Sequence, residues 1–427
     1  MNQDIKNALN GKRILFIGAS GHYELAVKKA QEYGAYAMCI NFNPNAAAKK
    51  YADLGADVDT YVPEDVLSFA KEKKADGIFT SWNEVNLYTA AYVAEKLGIP
   101  FFAEKRQLDA LITKDAFKRT CRKYGVPYIQ EFFVGNQLTE ADIDRFEYPV
   151  IIKPTDSGGT RGMTVLYSRE GIEEAVQKAL EVSIKKEFVA EPYLRNGQLI
   201  VMDFVVQSGK AVLCSAADRS LIRTSENEVP LSIAFLYPSS CIDIIQEQAL
   251  SPIQNLITGL GIKNGIISFE AMVSEGMLYA IESQFRFGGT HFYTLLEEEY
   301  GIDLLGMMLA FAVTGRFDYY SLDQVSARFQ RLYACQNLQA YGGKVKSILH
   351  REEMDKIPGV LWSVMIKTVG DTVPQDGSTA INFAKIGMTG NTLRDLYRTM
   401  DRVQHTLVAE DENGNNLIKQ NIPPEYL

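Results

Sequence analysis

The sequence predicts a chain of mixed class, with an α/β domain at its N-terminal end and α+β regions after it. Over the first 112 residues, apolar strands alternate with helices, which is typical of a doubly wound parallel sheet. Further along, residues 198–214 and 265–286 show the side-chain period of two that predicts β-hairpins. Short strands dominate the chain after residue 320.

The N-terminal domain is predicted to contain three strand and helix pairs. The predicted strands are RILFIGAS, YAMCINFN and DGIFTSW. The predicted helices are HYELAVKKAQEYG, VLSFAKEKK and LYTAAYVAEKLG, and the alternation ends with the segment IPFFA near Phe102. The turn from Gly18 to Gly21 lacks the G-x-G-x-x-G fingerprint, and Asn41 stands where a ribose-binding acid is needed. The sequence therefore argues against NAD.

Ligands of such sheets bind at the carboxyl ends of the strands, so polar residues there are candidate substrate contacts. Each of them equally fits a turn or capping residue: Ser20, His22, Trp82, Asn83 and Glu84.

A lysine and a glycine-rich loop follow an apolar strand in PVIIKPTDSGGTRGMTVL, residues 149–166. Glycines allow backbone amides to approach phosphate oxygens, and Lys153 supplies a charge for the same phosphates. The lysine precedes the glycines, so this is not a Walker loop, and MTVLYS predicts a returning strand. The motif predicts a hairpin over a nucleotide, with an ordinary flexible hairpin as the alternative.

A second hairpin brings acidic side chains together. Glu270 lies in GIISFEAMV, the turn signal SEGM follows, and LYAIESQFRFGG places Glu282, Gln284 and Arg286 on one side of the next strand. Neighbouring carboxylates repel unless a cation or a proton lies between them, and two carboxylates suit Mg²⁺. A hairpin with a solvated polar face is the alternative.

Four motifs, in order, resemble those of the ATP-grasp superfamily of carboxylate-amine ligases. They are TKDAFKRTCRKYGVP, the glycine loop, the hinge strand FVAEPYL, and IESQFRFGG, which is similar to the metal-binding E-x-N-x-R signature. The resemblance implies an ATP-grasp fold with a Rossmann-like domain (1–112), a mobile lid (113–187), a nucleotide- and metal-binding subdomain (188–320) and a β-rich C-terminal subdomain (321–427).

The resemblance also implies roles for individual residues. Arg286 would steady an acyl phosphate together with Gly288 and Gly289, and Lys153 would act on the transferring phosphoryl group. Mg²⁺ would be held by Glu270, Glu282 and Gln284. ATP would be contacted by Lys114, Lys153, Ser157, Gly158, Gly159, Thr160, Gly162, Glu191, Leu194 and Gln198, with Glu191 and Leu194 at the adenine edge.

Three positions depart from the family pattern. Gln284 replaces the metal-binding asparagine, Pro192 follows the hinge glutamate, and Gln198 replaces the ribose-binding glutamate. Because glutamine carries its amide on a stem one methylene longer, we expect one or two Mg²⁺ ions, with the second held more loosely, and Mn²⁺ as an alternative ion.

The implied activity is ATP-dependent joining of a small-molecule carboxylate to an amine, with release of ADP and phosphate. The alternatives are a phosphotransferase, a catalytically inactive nucleotide-binding protein and carboxylation of bicarbonate. Arg219 and Arg223 could clamp a second carboxylate, or form surface salt bridges instead. Candidate wall residues of the substrate pocket are Arg223, Tyr237, His291, Phe292 and Tyr293.

Composition restricts the partners and the compartment. The 427 residues carry a net charge of −9 without a basic run, which argues against nucleic acid. No stretch is long and apolar enough for a membrane helix, and no signal peptide is recognisable, so we expect a cytoplasmic protein. Five scattered cysteines predict free thiols. Resemblance to carboxylase-like relatives implies a homodimer, and Asn391 is the expected N-cap of the last helix.

Overall fold

The N-terminal part of the molecule is a parallel sheet flanked by helices. The computed structural model describes residues 2–157, 161–222, 230–375 and 378–427. The sheet order is β3-β2-β1-β4, and all its pairings are parallel. The elements are α1 (Gln3–Leu9), β1 (Arg13–Ile17), α2 (Glu24–Glu32), β2 (Tyr36–Ile40), β3 (Leu54–Ala56), α3 (Pro63–Glu72), β4 (Gly77–Phe79), α4 (Glu84–Leu97) and α5 (Lys105–Leu111).

The next part is a small antiparallel sheet, called here the lid sheet, with the strand order β5-β8-β6-β7. Its elements are α6 (Lys114–Tyr124), β5 (Phe133–Gly135), α7 (Glu140–Ile143), β6 (Val150–Pro154), β7 (Thr164–Leu166), α8 (Ile172–Val182) and β8 (Phe188–Pro192). The returning strand predicted after the glycine loop is β7, which pairs antiparallel with β6. Gly158, Gly159 and Thr160 lie outside the described residues.

The largest part is built on an antiparallel sheet with the order β13-β12-β9-β10-β11-β14-β19-β17. Its first elements are β9 (Gln198–Gln207), β10 (Lys210–Ile222), β11 (Leu231–Tyr237), α9 (Ile242–Gln248), α10 (Leu250–Leu260), β12 (Gly265–Ser274), β13 (Met277–Gln284), α11 (Tyr293–Tyr300) and α12 (Leu304–Thr314). The later elements are β14 (Leu332–Gln339), β15 (Gly343–Lys344), β16 (Ser347–Leu349), α13 (Arg351–Met354), β17 (Val360–Met365), β18 (Thr372–Val373), β19 (Asn382–Gly390), α14 (Leu393–Thr406) and β20 (Val408–Glu410).

This sheet continues across residue 320, where the sequence suggested a subdomain boundary. Strand β14 pairs with β11, and β19 pairs with β14, so the C-terminal strands extend the sheet that carries β12 and β13. The C-terminal residues can therefore reach the same site as the acidic hairpin.

The two faces of the large sheet bury different cores. Along β9, Ile200, Met202 and Phe204 pack towards the helices α6 and α10, while Val201 and Val205 pack towards α11, α12 and the N-terminal domain. This alternation follows from the strand period of two. The sheet is thus a central layer between two apolar layers.

Two further predictions are decided by the structure. All five cysteines are buried and free, as expected. Asn391 is not the N-cap of α14. Thr392 takes that position, because its side chain accepts from the Asp395 amide while the Asp395 side chain accepts from the Thr392 amide, a reciprocal capping box.

Within the described residues, no helix combines the length and apolar character needed to cross a bilayer.

Candidate active site

The hairpin of β12 and β13 places two carboxylates side by side. Glu270 and Glu282 lie directly opposite each other in register, next to a β-bulge, and both are half-buried. The Arg219 Nη1 atom donates to Glu270 Oε2 at 2.8 Å. Burial and the neighbouring Glu270 charge raise the pKa of Glu282. The raised pKa reflects like-charge repulsion that a bound cation would relieve.

The donor set of this hairpin suits a hard cation. The described residues contain no cluster of three or more histidine, cysteine or acidic side chains that could enclose a metal. The hairpin instead offers two carboxylates and the amide of Gln284, whose backbone pairs with Ser268. Mg²⁺ is usually bound by one or two carboxylates, with water and substrate phosphates completing its shell. The residues present therefore fit Mg²⁺.

Arg286 follows the end of β13 and is held by the N-terminal domain. Its Nε donates to Glu84 Oε1 at 3.0 Å, its Nη2 also bonds Glu84, and its Nη1 donates to the Phe287 carbonyl at 2.8 Å. The guanidinium is 8% exposed. Glu84 begins α4, so the start of this helix fixes the orientation of Arg286.

The residues before Glu84 bond the residues after Arg286. Ser81 Oγ donates to the Phe287 carbonyl at 3.3 Å, and Trp82 Nε1 donates to the Gly288 carbonyl at 3.1 Å. Trp82 has a φ of 60°, an uncommon conformation for a large side chain. The segment Ser81–Glu84 therefore positions three consecutive residues of the RFG motif, which the sequence alone did not indicate.

Gly288 and Gly289 lie where a Cβ atom would fit without a clash. A Cβ built at Gly288 would come no closer than 3.6 Å to another residue, and one at Gly289 would lie 3.6 Å from His22 and 3.8 Å from Lys385. These are ordinary contacts, so packing within the protein does not require glycine here. The missing side chains instead leave the backbone accessible to a ligand.

His22 ends a chain of buried hydrogen bonds. Its Nδ1 lies 2.8 Å from His291 Nε2, and His291 Nδ1 lies 2.7 Å from the Tyr293 hydroxyl. The His22 ring also stacks on Trp82, with centroids 5.8 Å apart. Burial, followed by the charges of Lys385 and Arg286, lowers the pKa of His22 to about 3. His22 thus presents a neutral imidazole at ordinary pH.

These residues surround a cavity of about 340 Å³, called here the central cavity. It is bounded by the large sheet, the N-terminal domain and residues 366–367 and 379–385. Its lining includes His22, Trp82, Arg219, Phe235, Ser268, Glu270, Gln284, Arg286, Gly288, Gly289, Asn337, Lys367, Asn382 and Lys385.

Most of the predicted wall residues do not line this cavity. Tyr237, His291, Phe292 and Tyr293 are each at most 3% exposed and belong to the core beneath α11 and α12. The wall prediction was wrong for these residues, because residues 291–293 turn into the core after the glycine pair and Tyr237 packs into the same core from β11. Arg223 lies outside the described residues.

Asp203 lies beneath the central cavity. It is fully buried on β9 and accepts hydrogen bonds from Ser215 at 2.6 Å and Ser268 at 2.5 Å. It forms no ion pair among the described residues, and burial raises its pKa to about 6. The two hydroxyls compensate this carboxylate less fully than a cation would.

The lid sheet carries a second group of charges, called here the lid cluster: Lys118, Glu131, Lys153 and Glu191. Lys118 Nζ lies 2.7 Å from one oxygen of Glu191 and 3.2 Å from Glu131, and Lys153 bonds the other oxygen of Glu191. Glu191 is 2% exposed. Burial alone would raise its pKa, but the charges of Lys153 and Lys118 outweigh this and lower it. The carboxylate predicted at the adenine edge is thus bonded to two lysines.

Lys114 lies between the two groups. Its Nζ donates to the Ser157 carbonyl at 2.8 Å, and burial, reinforced by Lys153 and opposed by Glu282, lowers its pKa to about 8. With Lys118, Lys153 and Ile281 it lines a narrow cleft of about 20 Å³ between the lid sheet and β13. The lysines predicted to contact phosphate therefore share one cleft beside the acidic hairpin.

The remaining predicted nucleotide residues border this region. The Gln198 amide donates to the carbonyls of Leu199 at 2.8 Å and Arg219 at 3.3 Å. Ser157 is buried at the end of the β6 segment, and Gly162 has a φ of 72°. Leu194 lies in the turn after β8. Their contacts with a nucleotide remain predictions.

Sequence reasoning did not find Lys118, Asp203 or Lys385. One signal was available for Lys385, since it interrupts an otherwise apolar run in INFAKIGM. A lysine in a strand that is buried on both sides is rare unless it has a partner or a ligand.

Comparison with known proteins finds a family model that matches the middle of this chain. Residues 113–318 match the family model described as the carbamoyl-phosphate synthase L chain, ATP binding domain. The carbamoyl phosphate synthase large chain of Pseudothermotoga lettingae is 25% identical over 285 residues, covering 65% of this chain and 25% of that protein. The chain thus spans about a quarter of the length of this curated relative.

Solved structures extend the likeness to nearly the whole chain. The biotin carboxylase domain of the Hydrogenobacter thermophilus 2-oxoglutarate carboxylase superposes with a TM-score of 0.76 at 18% identity, covering 96% of this chain and 92% of that one. The L-amino acid ligase of Bacillus licheniformis gives 0.74 at 17% identity, covering 95% and 100%.

Residues 113–318 are thus similar to an ATP-binding domain of this kind, and the solved structures share their fold with nearly the whole chain. This confirms the mixed α/β and α+β ATP-grasp fold that the motifs predicted.

Proposed function

We propose that this protein uses ATP to join a small-molecule carboxylate to an amine through an acyl phosphate, releasing ADP and phosphate. One observation carries the proposal. Glu270 and Arg286 line the central cavity, Glu282 lies opposite Glu270 on the hairpin, and the adjacent residue Ile281 lines the cleft that contains Lys114 and Lys153. This arrangement offers a phosphoryl donor site and an acceptor site side by side.

ATP is the proposed phosphoryl donor. Lys114 and Lys153 are the cations available for its phosphates, and the glycine loop supplies backbone amides. Glu270, Glu282 and Gln284 would hold Mg²⁺. When bound, this ion would neutralise charge on the phosphates.

The first chemical step activates the carboxylate. A carboxylate oxygen attacks the γ-phosphorus of ATP, the bond to the β-γ bridging oxygen breaks, and ADP leaves. Direct attack of an amine on a carboxylate would have to expel oxide, so phosphorylation supplies a workable leaving group. Arg286, Gly288 and Gly289 line the cavity, so the guanidinium and the two backbone amides would stabilise the negative charge of the acyl phosphate.

The second step forms the amide. The amine nitrogen attacks the acyl carbon, an oxyanion develops, and phosphate leaves as the amine loses its proton. His22 is a neutral imidazole at the cavity wall, so it can exchange a hydrogen bond with the amine without adding charge. The guanidinium of Arg286 would stabilise this oxyanion.

Access to the nucleotide cleft requires movement of the lid sheet. The cleft between Lys153 and Ile281 has about 20 Å³ of free volume, far less than an adenine nucleotide occupies. Substrate-dependent closure of lids is a common way to exclude water from such reactions. This supports the prediction of a mobile lid for residues 113–187.

A screen of carboxylate and amine pairs for phosphate release tests the proposal, with Glu282→Ala as the blank. We expect release of ADP and phosphate that requires both substrates, and hydroxylamine should trap the acyl phosphate as a hydroxamate. A stable phosphorylated product formed without an amine would instead indicate a phosphotransferase. Absence of turnover with every pair, together with unimpaired ATP binding, would indicate an inactive nucleotide-binding protein.

A further inference from the structure

Lys385 is a buried cation without an acidic partner. It lies on β19 and is 7% exposed, and its Nζ donates to the Asn337 Oδ1 atom. Within the described ranges, Lys385 forms no ion pair, unlike Lys118 and Lys153. A buried charge is costly unless it is paired. Lys385 therefore lacks an anionic partner that a ligand could supply.

Lys385 lines the central cavity close to a second cation. Its Nζ lies 5.1 Å from the centroid of the Phe235 ring, and the Arg219 guanidinium carbon lies 5.8 Å from the same centroid. Arg219 has one carboxylate partner, Glu270, and its Nε is buried without a hydrogen-bond partner. This part of the cavity therefore has more positive than negative charge.

Among the residues that the structure describes, no neighbouring side chain removes this excess. Cys335 is close enough to influence Lys385, but burial raises the pKa of its thiol to about 11, so it stays uncharged at neutral pH. Glu270 is already bonded to Arg219. His22 is neutral, and Arg286 adds a further positive charge.

We propose that Lys385, assisted by Arg219, binds a carboxylate group of a substrate in the central cavity. The proposal rests on the function proposed above and adds a specificity-determining residue contributed by the C-terminal strands. The carboxylate can come from two sources. It is either the acid that becomes activated or the carboxylate of an amino acid that serves as the amine.

The test compares Lys385→Met with the wild-type enzyme. Methionine keeps the length of the stem but removes the charge, and Lys344→Met is the control because Lys344 lies on β15, outside the cavity lining, with a side chain that is 60% exposed. We expect Lys385→Met to raise the KM of the affected substrate roughly 10- to 100-fold, the usual effect of losing a hydrogen bond to a charged group. Lys385→Arg should restore part of the affinity, and Lys344→Met should change KM by less than about 3-fold.

Two assays distinguish the sources of the carboxylate. With hydroxylamine as the nucleophile, a raised KM for the acyl donor identifies the activated acid as the ligand. With amino acids and their amides compared as nucleophiles, a raised KM for the amino acid alone identifies the amine substrate. Equal effects of Lys385→Met and Lys344→Met, or no change in either assay, would overturn the proposal.

A binding measurement keeps this inference separate from the proposed function. Thermal unfolding of the wild-type protein is recorded with each amino acid, succinate or glutarate, and with the corresponding amides. We expect carboxylates, but not amides, to stabilise the wild type, and Lys385→Met to lose that response. If the wild type binds carboxylates but does not turn over, only the ligase proposal fails. If no carboxylate stabilises the wild type, the proposal for Lys385 fails.

Discussion

The lid cluster and the central cavity differ in how their buried charges are paired. In the lid cluster, Glu191 is bonded to both Lys118 and Lys153, so each buried charge has a partner of opposite sign. In the central cavity, Lys385 has only an amide partner among the described residues, and on the hairpin beside it Glu282 lies opposite Glu270. The difference separates charges that the protein itself compensates from charges that it leaves uncompensated, which are costly unless a ligand pairs with them.

The largest expected effect on stability comes from removing the Glu191 carboxylate, which pairs with both lysines of the lid cluster. Glu191→Gln should lower the free energy of unfolding by about 3–5 kcal/mol, since two buried lysines lose their shared carboxylate. Urea unfolding at neutral pH measures this change. The control is Glu131→Gln, whose side chain is 24% exposed and which should cost less than about 1 kcal/mol. Similar losses for both variants would show that the lid cluster is not a buried network.

The Glu191 contribution should also depend on pH. Because the folded-state pKa of Glu191 is lowered from the ordinary value of 4.5, its stabilisation is fully present above pH 4.5 and is lost as the pH falls through the folded-state pKa. Glu191→Gln should remove this acid-dependent loss.

The next effect concerns Arg286 on the cavity side. Arg286→Ala should reduce turnover by about 10²–10³-fold, the usual result of removing one preorganised donor. Its stability should change little, because the Glu84 side chain it leaves behind is 38% exposed and can be hydrated. Phosphate release and thermal unfolding measure the two quantities. Glu84→Gln, which keeps the guanidinium but weakens its anchor, should lose less activity. Wild-type turnover of Arg286→Ala would refute the role given to Arg286.

Asp203 is an intermediate case, an acid compensated by hydroxyl groups alone. Its pKa is raised from 3.8 to about 6, so the folded protein binds the proton more tightly than the unfolded chain does. Stability should therefore fall as the pH rises from about 4 to 6, by on the order of 3 kcal/mol. Asp203→Asn should abolish this fall in urea unfolding measured between pH 4 and 7. An unchanged slope would place the pH dependence elsewhere.

The smallest expected effect concerns the metal ligands. Gln284→Asn shortens the amide stem to the length found in the family pattern, so we expect half-maximal activity at a lower Mg²⁺ concentration. The shift should stay within about tenfold, or about 1.4 kcal/mol. Activity measured against Mg²⁺ concentration tests this, with the KM for ATP at saturating Mg²⁺ as the control. A higher Mg²⁺ requirement would show that the longer side chain already fits the ion.

Several features were accessible from the sequence because they depend on local pattern. The alternation in residues 265–286 predicted the hairpin, and its turn signal predicted that Glu270 would meet Glu282. The motif order predicted the ATP-grasp fold that the solved structures share. The capping position at Thr392 was missed by one residue, since two adjacent polar residues both suit an N-cap.

Features that join distant segments were decided by the tertiary structure. The sequence by itself determined strand periodicity, turns and the chemical types of the site, because side-chain alternation and backbone preference act over a few residues. Only the fold placed Glu84 against Arg286, 202 residues apart, and Lys118 against Glu191, 73 residues apart. It likewise brought Lys385 to the cavity by extending one sheet across the C-terminal strands. Burial and charge pairing depend on which segments pack against each other. The partner of each buried charge could therefore be identified only from the tertiary structure.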